Sequence, residues 1–581
     1  MAKQRRNIAS PKKIIDSVAE SGAIKKNWQG RKTVALVYPN TYHVGMSNLG
    51  FQTVYSQFNG FDGVVCERVF LPATESQNGK PPYSLESNRK LSDFDVIAFS
   101  ISFENDYPNI LTLLAKADLT LFSDHRNDKS PLVMAGGVTC FLNPEPIAPF
   151  IDAFLIGESE GIIPALVQWI TNDLRPDIPR KDRLLKLAQT VPGVYVPLFY
   201  EPQYHHDGTL SHFIPSKDVP PKIKALHPLD LSSDNCFSTI LTTDTTFDNT
   251  FLIEVSRGCA HGCRFCSAGF IYRPPRFRTR KHLEKNILTG KARTHRIGLV
   301  GAAVSDLPDI DRLCADSSTK GLQIGFSSLR ADALSATLMR ALKNSGVKTA
   351  TIAPDAGSKR LRTVINKGLS EESILAAVHT LVDYDIPNIK LYFMIGLPTE
   401  TNDDIHAISA LCKKIKHTFL TSSRHKGKMG AITVSLNCFV PKPFTPFQWV
   451  AMDDIKSLKN KIKQIKQNLG KIANLRVHAD IPRWAFIQAI LSRGDRRVAQ
   501  LLLTAHENGG NWAQALKTAP INPLFYAQRE RNENEFFPWD FIDHGIDKAF
   551  LWKEFKRALA EKPSPACPME PQRCRLCGVC K

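Results

Sequence analysis

Between residues 33 and 170 short apolar runs alternate with amphipathic stretches. Val34–Tyr38, Gly63–Val69, Val96–Ser102, Leu132–Ala135 and Ala153–Gly157 have strand length and composition, and the stretches between them, such as Asn109–Ala117, repeat their apolar positions at helical spacing. This rhythm predicts an α/β, doubly wound, flavodoxin-like parallel sheet. Ligands of such sheets gather beyond the carboxyl ends of the strands. There the sequence places Gly45, Gly50, Ser100, Ser102, Gly136, Gly137, Gly157 and Glu158. A second alternation predicts strands at Phe251–Val255, Arg296–Val300, Leu322–Phe326, Lys348–Ile352, Lys390–Met394 and Ile432–Asn437, with helices such as Ser370–Val382 between them. Six such units predict a partial (β/α)6 barrel with its chemistry at the strand C-termini. The predicted organisation is a basic segment (1–32), the doubly wound domain (33–175), a connector with some β structure (176–247), the barrel core (248–450), a mostly helical region (451–560) and a Pro- and Cys-rich tail (561–581).

Composition narrows the setting. No apolar run approaches the roughly 20 residues that span a bilayer, and no apolar stretch follows the basic N-terminus as in a secretory signal. The expectation is a cytoplasmic protein with no membrane partner. Lys+Arg is 75 against 56 Asp+Glu, a net charge of +19. Two readings stand: a polyanionic partner, RNA or the ribosome first, or an ordinary basic enzyme. Basic residues gather at Lys3–Lys32, Arg273–Arg296 and Lys456–Lys471, the last spaced around a helix as a solvated face would be.

Cysteine carries the candidate chemistry. Six of the thirteen cysteines (Cys66, Cys140, Cys236, Cys314, Cys412 and Cys438) are scattered singly and read as buried thiols, while seven fall into two tight clusters, a pattern that favours metal ligation. IEVSRGCAHGCRFCSAGF sets Cys259, Cys263 and Cys266 at Cys-x3-Cys-x2-Cys in the loop after the first barrel strand. Three thiolates hold three irons of a four-iron four-sulfur cubane and leave the fourth open. That iron suits the amino and carboxylate groups of S-adenosylmethionine (SAM), whose sulfonium, given one electron, cleaves to a 5′-deoxyadenosyl radical. Phe265 fits an aromatic beside the adenine. A zinc site is the alternative, but zinc wants four protein ligands, and closure by His261 within so short a loop is awkward.

This segment resembles the radical SAM superfamily. With it, APDAGSKRLRTVINKG, KLYFMIGLPTET, FVPKPFTPFQW and SRGDRRV resemble one branch with an N-terminal cobalamin-binding-like domain, over nearly the whole chain from about residue 33. The resemblance implies SAM or substrate contacts from Ser328 and Arg330. It implies one from Asp355, shorter or shifted because relatives often carry glutamate. It implies backbone approach to the adenine at Gly396, with Glu400 capping the following helix. Arg360 and Arg362 would meet a carboxylate or phosphate, or form surface pairs. For cobalamin, Ser102, Gly136, Gly137 and Gly157 match the places where the nucleotide tail packs. The loop YPNTYHVGMSNLG lacks the Asp-x-His-x-x-Gly spacing, so His43 reads as a loop residue rather than a cobalt ligand. The alternative is a vestigial domain that shapes substrate access.

In PACPMEPQRCRLCGVCK, Cys574, Cys577 and Cys580 are spaced Cys-x2-Cys-x2-Cys, with Cys567 seven residues upstream. Four thiolates suit a second iron–sulfur cluster; a zinc knuckle or a redox-active tail are the alternatives. The expected function is a radical SAM enzyme that methylates an unactivated carbon with cobalamin, on an RNA or ribosomal substrate, with flavodoxin or ferredoxin as reductant. The other readings are methylthiotransferase-type sulfur insertion and a non-catalytic iron–sulfur RNA-binding protein.

Overall fold

Five strands run parallel in the first sheet: β1 (Lys32–Tyr38), β2 (Val64–Phe70), β3 (Val96–Ser100), β4 (Leu132–Gly136) and β5 (Ala153–Leu155). Their spatial order is 2-1-3-4-5, and the antiparallel β6 (Val194–Tyr195) closes the edge beyond β5. The computed structural model describes residues 19–72, 81–231, 236–319, 321–326, 329–426, 430–568, 574 and 576–580. A parallel sheet covered on both faces needs near-continuous apolar strands, and β2 is buried at every position. The strand order is the flavodoxin-like one. It reverses between β1 and β3, where such sheets open a ligand crevice.

The second alternation folds into two parallel sheets. One holds β7 (Phe251–Glu254), β8 (Arg296–Val300) and β9 (Gln323–Phe326). The other holds β10 (Thr349–Asp355), β11 (Asn388–Ile395), β12 (Ile432–Cys438) and β13 (Leu475–Ala479). β11 and β12 bury alternate residues, as strands lining a barrel do. β13 is a strand inside the stretch 451–560, which is otherwise mostly helical as expected. Its sequence LRVHA buries only Leu475, too thin a pattern to announce a strand, and pairing with β12 is what makes it one.

The connector contains a hairpin, Tyr200–Tyr204 with Leu210–Pro215. The helix Ala499–Glu507 packs on Tyr107–Lys116 of the first domain. The helix Lys548–Leu559 is held by a ring cluster in which Trp449 and Trp552 lie 5.0 Å apart. All six scattered cysteines are buried. Among the described residues no helix is long and apolar enough to cross a membrane. Part of the second basic group is internal, because Arg273, Arg276 and Arg278 are buried. Those three arginines do not face a polyanion.

Candidate functional site

β7 ends at Glu254, and Gly258 turns the chain into the cysteine loop with φ +79; a Cβ there would meet Tyr272 O at 2.5 Å. Cys263 is buried, and Cys259 and Cys266 are partly so. The three thiols lie within electrostatic reach of one another, and burial pushes all three up, Cys263 to about 12. An iron cluster would displace those protons, since the thiolate is the ligand. His261 is otherwise engaged: its Nε2 lies 2.6 Å from Asp306 Oδ2. Among the described residues no three His, Cys, Asp or Glu side chains stand as close as a single metal ion requires.

Two of the residues expected around SAM converge on this loop. Asp355 ends β10 at a bulge with φ +62, a strained setting for a residue with a side chain. Its Oδ2 is 2.5 Å from Lys367 Nζ. Burial raises Asp355 against the pull of Lys367. Burial by itself would lower Lys367, but the charges of Asp355 and Cys263 outweigh it and the net shift is upward. Arg330 pairs with Asp332 at 2.7 Å and lies within electrostatic reach of Cys259 and Lys367. Lys367 escaped the sequence reading, although it sits in the quoted APDAGSKRLRTVINKG. Phe265 is partly buried against the cluster of Ala356, Leu361 and Leu397. Ser328 lies outside the described residues.

Other assignments need correction. The helix Asn402–Ser423 is capped by Thr401 in a capping box with Asp404, not by Glu400. Glu400 instead accepts from Gly396 N at 2.8 Å and from Lys461 Nζ at 2.6 Å. Gly396 has φ +78, the left-handed region that favours glycine, and a Cβ there would also press on Leu458 Cδ2 at 2.8 Å, so the chain's own conformation gives a reason for glycine without a ligand. Arg360 takes the ion-pair alternative, with Asp404 and Glu561, whereas Arg362 is buried and donates to the carbonyls of Ala356, Gly357 and Leu369.

A cavity of about 530 Å³ joins the two halves of the site. Ser102, Gly136, Gly137 and Gly157 line it from the strand ends of the first sheet, and Arg257, Gly258 and Ala268 line it from the cysteine loop. Ser102 Oγ accepts from Asn48 Nδ2 at 2.9 Å. Not every glycine here is kept open for a ligand. A Cβ at Gly137 would lie 2.3 Å from Ile101 O, and one at Gly157 2.3 Å from Leu226 N, so the chain's own backbone requires both. At Gly136 the nearest atom would be Leu155 Cβ at 3.6 Å, an ordinary contact, which leaves a free cradle. His43 does not line the cavity; its half-exposed ring holds Asp244 Oδ1 at 2.9 Å. At the rim, Arg257 ties Glu158 (2.6 Å) and Glu160 (2.5 Å) of the first domain to Glu254 (2.8 Å) of β7. Burial pushes Glu158 up, but hydrogen bonds from His227 and Arg276 and the Arg257 charge hold it down at about 2.

The loop also carries the C-terminal tail. Arg264, between two of the cysteines, is fully buried. Its guanidinium donates to the carbonyls of Thr363 (3.1 Å), Val364 (2.9 Å) and Lys562 (2.7 Å), to Ser564 Oγ (2.8 Å) and to Glu554 (3.3 Å). The tail thiols of Cys567, Cys574 and Cys577 lie within electrostatic reach of Cys580, with Cys574 and Cys577 buried.

Residues 50–197 match the N-terminal domain of radical SAM proteins, and residues 253–412 match the radical SAM superfamily. An uncharacterized protein of Methanocaldococcus jannaschii is 31% identical over 476 residues, 81% of this chain and 90% of that one. An uncharacterized methyltransferase of Pyrococcus horikoshii is 25% identical over 174 residues, 28% of this chain and 37% of that one. Among solved structures, the cobalamin-dependent SAM radical enzyme OxsB with aqua-cobalamin bound is 16% identical (TM-score 0.40), with 66% of this chain and 52% of that chain covered, so the match spans about half of OxsB. The radical SAM methyltransferase TsrM from Kitasatospora setae is 13% identical (TM-score 0.43), with 69% and 72% covered. With the three-cysteine loop at the end of β7, and with both segments matched, the chain belongs to the radical SAM superfamily.

Proposed function

We propose that this radical SAM enzyme binds cobalamin between its first sheet and its cysteine loop and methylates an unactivated carbon. The supporting observation is the 530 Å³ cavity, walled on one side by the strand ends of a flavodoxin-ordered sheet and on the other by the loop of Cys259, Cys263 and Cys266. With their cofactors bound, the cysteine loop supplies a 5′-deoxyadenosyl radical and the first domain a transferable methyl group. The chain's own work is to bring the two together. Arg257 clamps the domains at the rim, and Gly136 leaves room for the nucleotide tail. His43 is turned to Asp244, so this side chain would not serve as a ligand to the metal of a corrin held in the cavity. The net charge of +19 favours a polyanionic substrate, RNA or ribosomal, over a small neutral one.

Anaerobic reconstitution with iron, sulfide and hydroxocobalamin tests this reading. The protein is expected to retain cobalamin through gel filtration and to cleave SAM to 5′-deoxyadenosine, with cleavage abolished when Cys259, Cys263 and Cys266 are all replaced by Ala. The cob(II)alamin paramagnetic resonance spectrum should carry no nitrogen splitting. A splitting that vanishes in His43→Ala would overturn the ligation, and loss of cobalamin on the column would overturn the methyltransferase reading.

A further inference from the structure

The tail is fastened to the back of the cysteine loop at three points. Arg264 holds Lys562 O and Ser564 Oγ. Asn366 bridges the two segments, its side chain donating to Gly262 O (3.1 Å) and accepting from Ser564 N (2.8 Å). Cys567 N donates to Ala260 O at 2.8 Å. A tail cysteine is thus hydrogen-bonded through its backbone to the residue that follows Cys259. Farther along, Asp547 N donates to Cys577 O at 2.9 Å, and Gly578, with φ +94, brings the final turn against the Asp547 carboxylate.

Between tail and loop lies a second cavity of about 620 Å³, lined by Cys567, Cys574 and Cys577 on one side and by Gly262, Phe270 and Arg273 on the other. It shares no lining residue with the first cavity. The cysteine loop is therefore a wall with the first cavity on one face and the tail thiols on the other. Arg273 lies within electrostatic reach of Cys580, a favourable charge for an anionic thiolate centre. Four cysteines, three of them at Cys-x2-Cys-x2-Cys, form a complete ligand set for a cubane.

We propose that Cys567, Cys574, Cys577 and Cys580 hold a second iron–sulfur cluster that passes single electrons through the loop to the first. A low-potential one-electron carrier, a reduced flavodoxin or ferredoxin, gives up one electron to the tail cluster and is oxidised. The electron moves to the cluster on Cys259, Cys263 and Cys266 and from there into the SAM sulfonium. The S–C5′ bond breaks, leaving methionine and the 5′-deoxyadenosyl radical. The proposal does not depend on cobalamin.

Metal and sulfide analysis of the full-length protein with Cys259, Cys263 and Cys266 replaced by Ala tests the site. It should retain about four irons and four sulfides, and lose them when Cys574, Cys577 and Cys580 are also replaced. Zinc, or no metal, in the first of these variants would refute the cluster. The relay is read by paramagnetic resonance of the fully reduced, otherwise unaltered protein. Because the two ligand loops are hydrogen-bonded, its spectrum should be broadened beyond the sum of the spectra of the two single-cluster variants, and Cys567→Ser should slow reduction of the first cluster by reduced flavodoxin at least tenfold. Simple addition of the spectra, or an unchanged reduction rate, would overturn the relay. Should the tail variants lose both clusters, the metal content of the Cys259, Cys263 and Cys266 variant and the spectrum of the unaltered protein still decide the proposal.

Discussion

Arg264→Met removes the latch between loop and tail while keeping a long apolar stem in the buried slot. The change deletes the donors that reach Thr363 O, Val364 O, Lys562 O and Ser564 Oγ, and it strips Glu554 of a cation at 3.3 Å. Breaking a buried charge pair from one side costs about 3–5 kcal/mol. If that loss falls on the docking of the tail, the detached form gains at least roughly 100-fold, at about 1.4 kcal/mol per decade. Hydrogen exchange reads the change directly. The Cys567 amide, bonded to Ala260 O, and the Asp547 amide, bonded to Cys577 O, should exchange faster by that factor. Amides of β2 and β11 should keep their rates. Arg264→Lys keeps the charge but not the planar fork, so it should fall between the two. Unchanged protection of Cys567 in the Met variant would refute the latch.

Gly137→Ala should lower the melting temperature by several degrees while Gly136→Ala leaves it nearly unchanged, because only the first Cβ strikes backbone; equal effects in thermal scans would contradict this. Lys367→Met should destabilise the protein by about 3–5 kcal/mol by stranding the buried Asp355 carboxylate, and adding Asp355→Asn should recover part of the loss in a double-mutant cycle. His544 is buried, and that burial with the neighbouring His227 charge lowers it from 6.5 to about 3. As pH falls below 6.5 the unfolded chain takes up a proton that the folded chain refuses. Stability should therefore drop by about 1.4 kcal/mol per pH unit, down to the folded value near 3, with no contribution above 6.5. Denaturation midpoints at pH 7 and pH 5.5 should differ less in His544→Gln than in the unaltered protein.

The first sheet was legible because its strands are buried on both faces, so Val34–Tyr38 and Val96–Ser102 announce themselves as apolar runs. β13 was not, since a strand that buries one residue in five carries its reason in its partner β12 rather than in its own sequence. The cysteine loop was legible because ligand spacing is local. Lys367 was not, because its role comes from the approach of β10, and nothing in INKG itself says that a carboxylate waits there. Gly137 and Gly157 were noticed for being glycine but given a ligand's reason; the contacts that demand glycine are with Ile101 and Leu226, distant in sequence or invisible without φ. The capping of Asn402–Ser423 was misassigned by one residue because TET offers two candidate side chains and only geometry selects Thr401.

The latch at Arg264 closes on residues that lie 298 and 300 positions downstream. On a ribosome adding roughly 5–20 residues per second, the loop would emerge about 15–60 s before its fastening exists. During that interval Cys259, Cys263 and Cys266 belong to a nascent chain with no tail behind them, open to whatever delivers iron and sulfide and equally open to oxidants. The order of manufacture thus differs from the order of assembly: the thiols are made well before the residues that shelter them.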